Sequence, residues 1–493
     1  MKRTPTSSSP SVAEQDGTAE SWQESVFAVP VFGDWIVHAP LHRLTAMCGE
    51  GVLSAPAELR DAKGTGKLGQ LARGLRRPPR RVPPLRTGPF RPEFLGLIPT
   101  RSCNLGCRYC AFGASESAGT TLPEAMALDA VDWMAEMLRS QPGAPLAVDF
   151  FGGEPTVAPG VMRAVVDRVH ETARARRIPH RIEMATNGYF TPGIRDFLGD
   201  TIDFIVVSLD GPAEVHDLHR PLRGGQGSYR IVAKNTAALS SSAAHLTVRA
   251  SVTRATVGRM AEFAHGFCKA FKPSCLNFEP LRPTPESEAA GFSPPNPWDF
   301  ARAMHWATRA AAVHGVPCVY ASAAVDRVRS AFCPIGKDVP IVCPDGAVHA
   351  CYMLERDWSE AGLDLRLGHM AAAGERLQVD DASVARVRRL CALAPECRSC
   401  FCRWHCAGGC LLNMHGTSRK DGPSDFCVQT RILCACRLLD GLGRPDLADR
   451  LAEDREAQEA LVLRRSDLLF DRAAAEADGR PPDGSDTGGE PRR

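Results

Sequence analysis

Three cysteines, Cys103, Cys107 and Cys110, follow the apolar stretch that ends at Ile98-Pro99, with the spacing Cx3Cx2C. As thiolates they can hold three irons of a [4Fe–4S] cube, which leaves the fourth iron open to a substrate or cofactor. Clusters that only carry electrons usually close all four positions, so a vacancy points to chemistry. Zinc is the competing reading. Zinc sites commonly use paired Cx2C units and need a fourth ligand, and the nearest cysteine outside the run, Cys48, is remote in sequence.

A second pattern lies in the C-terminal half. Cys333, Gly346 and Cys351 are followed by Cys397-x2-Cys400-x5-Cys406-x3-Cys410 and then Cys427. Sixteen of the 19 cysteines fall between 103 and 110 or between 318 and 436. In a chain with no apolar signal core near Met1, such clustering speaks for metal or redox chemistry in a cytoplasmic protein rather than for disulfides. A formal net charge of +2 over 493 residues excludes a general nucleic-acid or membrane-surface binder, and no run approaches the length of a membrane helix.

The elements that must position these residues alternate. Short apolar runs at 93–98, 147–151, 181–185, 204–208, 247–252 and 276–279 read as strands, and segments such as 123–139 and 160–177 have helical periodicity. Alternating strands and helices imply a parallel sheet. Six units make a partial (β/α)6 TIM-like barrel, an α/β fold whose chemistry belongs in the loops after the strands. The cysteine triplet follows the first strand. The expected organisation is a disordered tail at 1–21, a small α+β segment at 22–72 and an Arg/Pro-rich linker at 73–92. The barrel follows at 93–310, then a small cysteine-rich domain at 311–436, a C-terminal helix at 437–472 and a second disordered tail at 473–493. Val26–Val37 suggests two strands joined at Gly33-Asp34, followed by a short helix from Leu41.

The triplet, with Tyr109 between its last two cysteines, resembles the signature of the radical S-adenosylmethionine (SAM) enzymes. Further matches follow in order: Gly152-Gly153-Glu154-Pro155, Thr186-Asn187-Gly188, Ser208-Leu209-Asp210-Gly211, and a run through His216, Arg220, Pro221, Gly224, Gly225, Gly227 and Tyr229. The resemblance makes Cys103, Cys107 and Cys110 the ligands of the catalytic cluster. It places Tyr109, Gly152, Gly153, Glu154, Asn187, Ser208, Asp210, Arg249 and Ser251 around SAM. Two glycines let backbone approach a ligand, the Glu154 carboxylate suits the SAM ammonium, and Arg249 suits its carboxylate.

The C-terminal spacing resembles the SPASM domain of radical SAM enzymes that modify peptides and proteins. The resemblance covers about 93–436. It implies two auxiliary [4Fe–4S] clusters, three in all. Cys397, Cys400, Cys406 and Cys427 would hold one, and Cys333, Cys351 and Cys410 three irons of the other, nearer the active site. Relatives take the fourth ligand of the near cluster from a cysteine shortly before the position of Cys333. Here Cys318 is the nearest upstream cysteine, Cys343 competes, and an open iron is the third option. Zinc is again the alternative for Cx2C pairs. Cys391, Cys402, Cys434 and Cys436 have no assigned role and default to small buried thiols.

The function implied is a radical SAM oxidoreductase that matures a ribosomally synthesised peptide or protein side chain, by oxidative crosslinking to a thioether or carbon–carbon bond. Its auxiliary clusters would take an electron from the product radical or bind a substrate thiolate. Its partners are a precursor peptide or protein and a flavodoxin- or ferredoxin-type reductant. Sulfatase maturation to formylglycine ranks second, because those enzymes carry an Asp base at the position of Tyr352. A non-catalytic iron–sulfur electron carrier or peptide-binding scaffold stays open as a third class. Several peptide maturases carry a leader-binding element before the barrel, which makes 22–72 a candidate for one; an extension packed on the barrel is the plainer reading.

Overall fold

The computed structural model describes residues 25–49, 65–80, 82, 85–112, 120–370, 374, 376–414, 423–464 and 468–469. The two expected terminal tails lie outside the described residues, as does 50–64.

Six strands, β4 (Leu95–Leu97), β5 (Leu146–Phe150), β6 (His180–Thr186), β7 (Phe204–Ser208), β8 (His245–Val252) and β9 (Cys275–Pro280), pair in parallel in chain order. Helices such as Glu124–Met137 and Pro159–Arg176 connect them, so the barrel is partial and α/β, as the sequence pattern predicts. One residue in two on each strand is apolar and fully enclosed beneath the helices: Leu95, Leu97, Val148, Phe150, Ile182, Met184, Ile205 and Val207. The alternate residues, Gly96, Asp149, Glu183, Val206, Arg249 and Glu279, therefore face the lumen.

The sheet continues beyond six strands at both edges. β10 (Cys318–Val319) adds in parallel to β9. At the other edge β11 (Ile341–Val342) pairs in parallel with β4, and β12 (Ala347–His349), β13 (Arg366–His369) and β14 (Gln378–Val379) follow antiparallel. The cysteine-rich C-terminal region thus grows from the edge of the barrel sheet. Helix Pro297–Ala312 is clamped to the C-terminal helices by Arg309, whose guanidinium meets Asp440 at 2.6 Å and Asp449 at 2.9 Å.

The N-terminal segment differs from the expectation. Strands β1 (Phe27–Val31), β2 (Asp34–Ala39) and β3 (Leu44–Cys48) form an antiparallel sheet, and the helix expected at Leu41 is a single turn, Pro40–His42. Arg43 ends it in the left-handed conformation, at φ 53°, and the chain returns as β3. Nor is 73–92 a plain extended linker: helix Lys67–Leu75 runs into it, the Arg80 amide donates to the Leu41 carbonyl, and Phe90 is buried. Among the described residues no helix is long and apolar enough to cross a membrane.

Candidate active site

The cysteine loop leaves β4 and is stapled on two sides by backbone hydrogen bonds. The Gly153 and Glu154 amides donate to the Thr100 and Ser102 carbonyls, and the Gly106 and Arg108 amides to the Pro221 and His219 carbonyls. Contact with the turn after β5 is so close that a Cβ at Gly153 would lie 2.3 Å from the Ser102 carbonyl oxygen, which is the local reason for glycine there. The three thiols bear on one another electrostatically. Cys103 Sγ accepts from the Leu105 amide at 3.4 Å and from Asn187 Nδ2 at 3.5 Å, and Arg220 Nη1 reaches Cys107 Sγ at 3.9 Å. Burial pushes the free thiols up, to about 11 for Cys103 and about 12 for Cys107, so a metal must displace their protons. Among the described residues no group of three or more His, Cys, Asp or Glu side chains is arranged to hold a metal ion. A cube differs from a single ion in offering each of its cysteines a separate iron, so the mutual proximity of the three thiols and the donors aimed at them fit a cluster.

Beneath the loop lies a buried brace. Asp210 accepts from the Tyr109 hydroxyl, from His219 Nδ1 at 3.2 Å and from the Ser251 amide at 3.0 Å, and Arg220 Nε stands 3.0 Å away. Burial alone raises a carboxyl, but the Arg220 guanidinium and His219 outweigh it and hold Asp210 ionised well below the usual range. Tyr109 and Asp210, expected around SAM, are thus engaged with each other, and Arg220 joins Asp210 to Cys107. Burial lowers the adjacent His216 to about 4, so it is neutral near pH 7.

Glu154 is held by donors of the chain itself. Its carboxylate is expected to meet an ammonium, yet Oε1 accepts from the Thr156 amide and hydroxyl and from the Thr186 hydroxyl, and Oε2 from the Asn187 amide at 2.7 Å. It is fully buried and ties the β5 turn to the end of β6. Ser208 and Arg249 are register neighbours on β7 and β8, with Ser251 two residues on. Arg249 is exposed in the lumen and faces Glu279, whose burial-raised carboxyl it pulls back down.

The lumen also holds a pair that the sequence reading missed. The Tyr352 hydroxyl donates to Asp149 Oδ2 at 2.5 Å. Burial raises the Asp149 carboxyl to about 7 against this hydrogen bond. Gly96 makes room, since a Cβ there would lie 2.8 Å from the Tyr352 hydroxyl. Phe151 packs on the Tyr352 ring at 4.7 Å and Phe112 on Phe151 at 5.0 Å. The one available signal was an acidic residue inside an otherwise apolar strand.

In the C-terminal region the charges of Cys410, Cys351 and Cys391 bear on Cys333, and those of Cys400, Cys427, Cys434 and Cys397 on Cys406. Arg431 Nη1 donates to Cys400 Sγ at 3.2 Å. Cys318 and Cys343 do not join the near set. Cys318 is buried on β10 beside Cys275, Cys268 and Arg437, on the far edge of the barrel sheet from β11. Cys343 packs with Ile98, Val339 and Ile341, and its Sγ lies 3.6 Å from His349 Nδ1.

Residues 97–253 match the model of the radical SAM superfamily. Among solved structures the chain is similar to native anSMEcpe with bound AdoMet and Cp18Cys peptide, at 19% identity and a TM-score of 0.56, over 71% of this chain and 99% of that one. Native anSMEcpe with bound AdoMet alone gives 18% and 0.55 over 71% and 99%. Streptococcus suis SuiB bound to precursor peptide SuiA gives 13% and 0.47 over 82% and 97%. No curated protein matches the chain.

Proposed function

We propose, from the match of residues 97–253 to the radical SAM superfamily model, that the protein is a peptide or protein maturase that oxidises a substrate side chain, with crosslinking as the outcome. The observation that carries this reading is the reach of Tyr352 to Asp149. One residue after Cys351, the chain enters the barrel lumen, so the near set of C-terminal cysteines borders the space into which the Cys103–Cys107–Cys110 loop opens.

Cys103, Cys107 and Cys110 would hold a [4Fe–4S] cluster, and Gly152, Gly153, Asn187, Ser208, Arg249 and Ser251 would surround SAM. When bound, cluster and SAM supply a 5′-deoxyadenosyl radical able to take a hydrogen atom from an unactivated carbon. The chain's own residues do the rest. The Asp210–Arg220 brace supports the cysteine loop, and Phe112, Phe151 and Tyr352 stack into an aromatic wall beside Asp149. Oxidative bond formation removes from the substrate a hydrogen atom, an electron, which the auxiliary clusters would take, and a proton. Asp149, with its carboxyl near neutrality, is the group placed to accept it, and the Tyr352 hydroxyl orients it. Cys397, Cys400, Cys406 and Cys427, and separately Cys333, Cys351 and Cys410, would hold two auxiliary clusters. The N-terminal sheet offers β3 as an edge strand suited to pairing with an extended leader segment.

Formylglycine formation is a second reading, and the structure gives it a specific support. Tyr352 stands where the resemblance expects an Asp base, but its hydroxyl holds the Asp149 carboxylate at that place. The test is anaerobic reconstitution followed by dithionite or reduced flavodoxin, SAM and candidate peptides. Release of 5′-deoxyadenosine is expected, with a peptide product lighter by two hydrogens and linked between residues. Conversion of a Cys or Ser to an aldehyde without a link would move the assignment to formylglycine formation. No 5′-deoxyadenosine from cluster-loaded protein would leave only the carrier or scaffold reading.

A further inference from the structure

The near set of C-terminal cysteines supplies three thiols, and the fourth place bears on mechanism. An iron without a cysteine can bind a substrate thiolate; a closed cluster can only pass electrons. Two observations identify what fills it.

The first is the position of Cys391. It caps helix Asp381–Leu390, whose Val384 and Val387 are buried. That helix is locked in place by Arg388, which meets the buried Asp338 carboxylate at 2.6 Å. Asp338 ends the turn Pro334–Lys337 that begins at Cys333. The lock brings Cys391 Sγ against this turn: a Cβ on Gly336 would be 3.4 Å from it. That turn is the one Cys333 opens, and Cys333 belongs to the near set. Cys391 therefore sides with the near set.

The second is a cavity of about 280 Å³ lined by Cys333, Cys391, Cys397 and the residues Gly409 and Leu411 that flank Cys410. Apart from its cysteines this lining is built of Ala, Gly, Leu, Ile, Phe and Met side chains. A space whose ligating side chains are thiols and the Met414 thioether suits a soft metal centre.

We infer that Cys391 is the fourth protein ligand of the near auxiliary cluster. The inference rests on the proposed two-cluster reading of this region. Ligation releases the Cys391 thiol proton and involves no change of oxidation state. With four cysteines the cluster is closed, so its part in the reaction is to accept an electron and not to anchor a substrate thiolate.

The test uses the full chain with Cys103, Cys107 and Cys110 all replaced by Ala, so that the catalytic cluster with its own open iron is removed. This background should hold about eight irons, two cubes of four. Mild oxidation strips an iron that no cysteine holds and leaves a [3Fe–4S] centre visible by electron paramagnetic resonance. The background should give no such signal. Adding Cys391→Ala should produce it at one centre per chain, while adding Cys318→Ala or Cys343→Ala should not. A signal from the background itself, or one produced by Cys318→Ala or Cys343→Ala but not by Cys391→Ala, overturns the inference. If Cys391→Ala loses the cluster altogether, Cys391→Ser decides: retained iron with a shifted reduction potential for one cluster supports ligation, and an unchanged potential overturns it. Iron at about four or below in the background would instead remove the two-cluster reading, and this inference with it.

Discussion

Replacing Asp149 by Asn should make the protein more stable and less competent at the same time. In the folded chain burial raises the Asp149 carboxyl from its ordinary 3.8 to about 7, against the hydrogen bond from Tyr352. Each tenfold change in proton affinity corresponds to about 1.4 kcal/mol. A group whose folded value is raised contributes stability that is present below its unfolded value and lost as pH rises. The loss accrues between about pH 4 and pH 7 and is flat above, reaching at most about 4 kcal/mol, an upper bound because the lumen admits water. Asn is nearly isosteric, and its carbonyl still accepts from Tyr352. Asp149→Asn should therefore raise the midpoint of anaerobic thermal unfolding at pH 8, with the advantage about 1 kcal/mol smaller at pH 6. The same variant should still release 5′-deoxyadenosine yet lose most peptide product, because the proton acceptor is gone. Lower stability of a folded, fully loaded variant at pH 8 would show that the carboxylate is not desolvated. Full product formation would remove Asp149 from the chemistry.

Three further outcomes follow from the same geometry. Gly96→Ala should push the Tyr352 hydroxyl off Asp149, since a new Cβ would lie 2.8 Å from it; product yield should fall more than 5′-deoxyadenosine release, and equal losses would point to general damage. Arg220→Met leaves Asp210 buried without its cation and should cost about 3–5 kcal/mol, read as a large drop in unfolding midpoint; a change within error would refute the brace. Cys107→Ala should abolish SAM cleavage and leave most auxiliary-cluster absorbance, and iron analysis should fall from about twelve to about eight per chain; undiminished cleavage would remove the triplet from the site.

The barrel strands were legible because each carries enclosed apolar residues on one face, and the run at 204–208 coincides with β7 (Phe204–Ser208). The cysteine triplet was legible because its ligands are local in sequence. What escaped depends on pairing across distance. Tyr352 and Asp149 are 203 residues apart, and nothing in either neighbourhood announces the other. Cys318 looked like a ligand by proximity to Cys333, but its two-residue strand on β9 was too short to read as periodicity and carries the thiol to the opposite edge of the sheet. Glu154 illustrates a different limit. Its motif fixes where it sits, but not that the hydroxyls of Thr156 and Thr186 and the Asn187 amide all donate to its carboxylate.

The sheet edge explains why the two halves act on one space. β11 pairs in parallel with β4, the strand that launches the cysteine loop, so Ile341 and Val342 lie in register with Gly96 and Leu97. Nine residues after β11 the chain reaches Cys351, and the next side chain enters the lumen beside Gly96. In the proposed reaction a carboxylate supplied from β5 and oriented by Tyr352 would take the place of a single Asp after Cys351, which would couple the proton site to the register of β4 with β11. A substitution that shifts this pairing should therefore impair proton removal before it impairs hydrogen abstraction, because the cysteine loop has its own anchors at Gly153, Glu154 and the 219–221 turn, independent of β11.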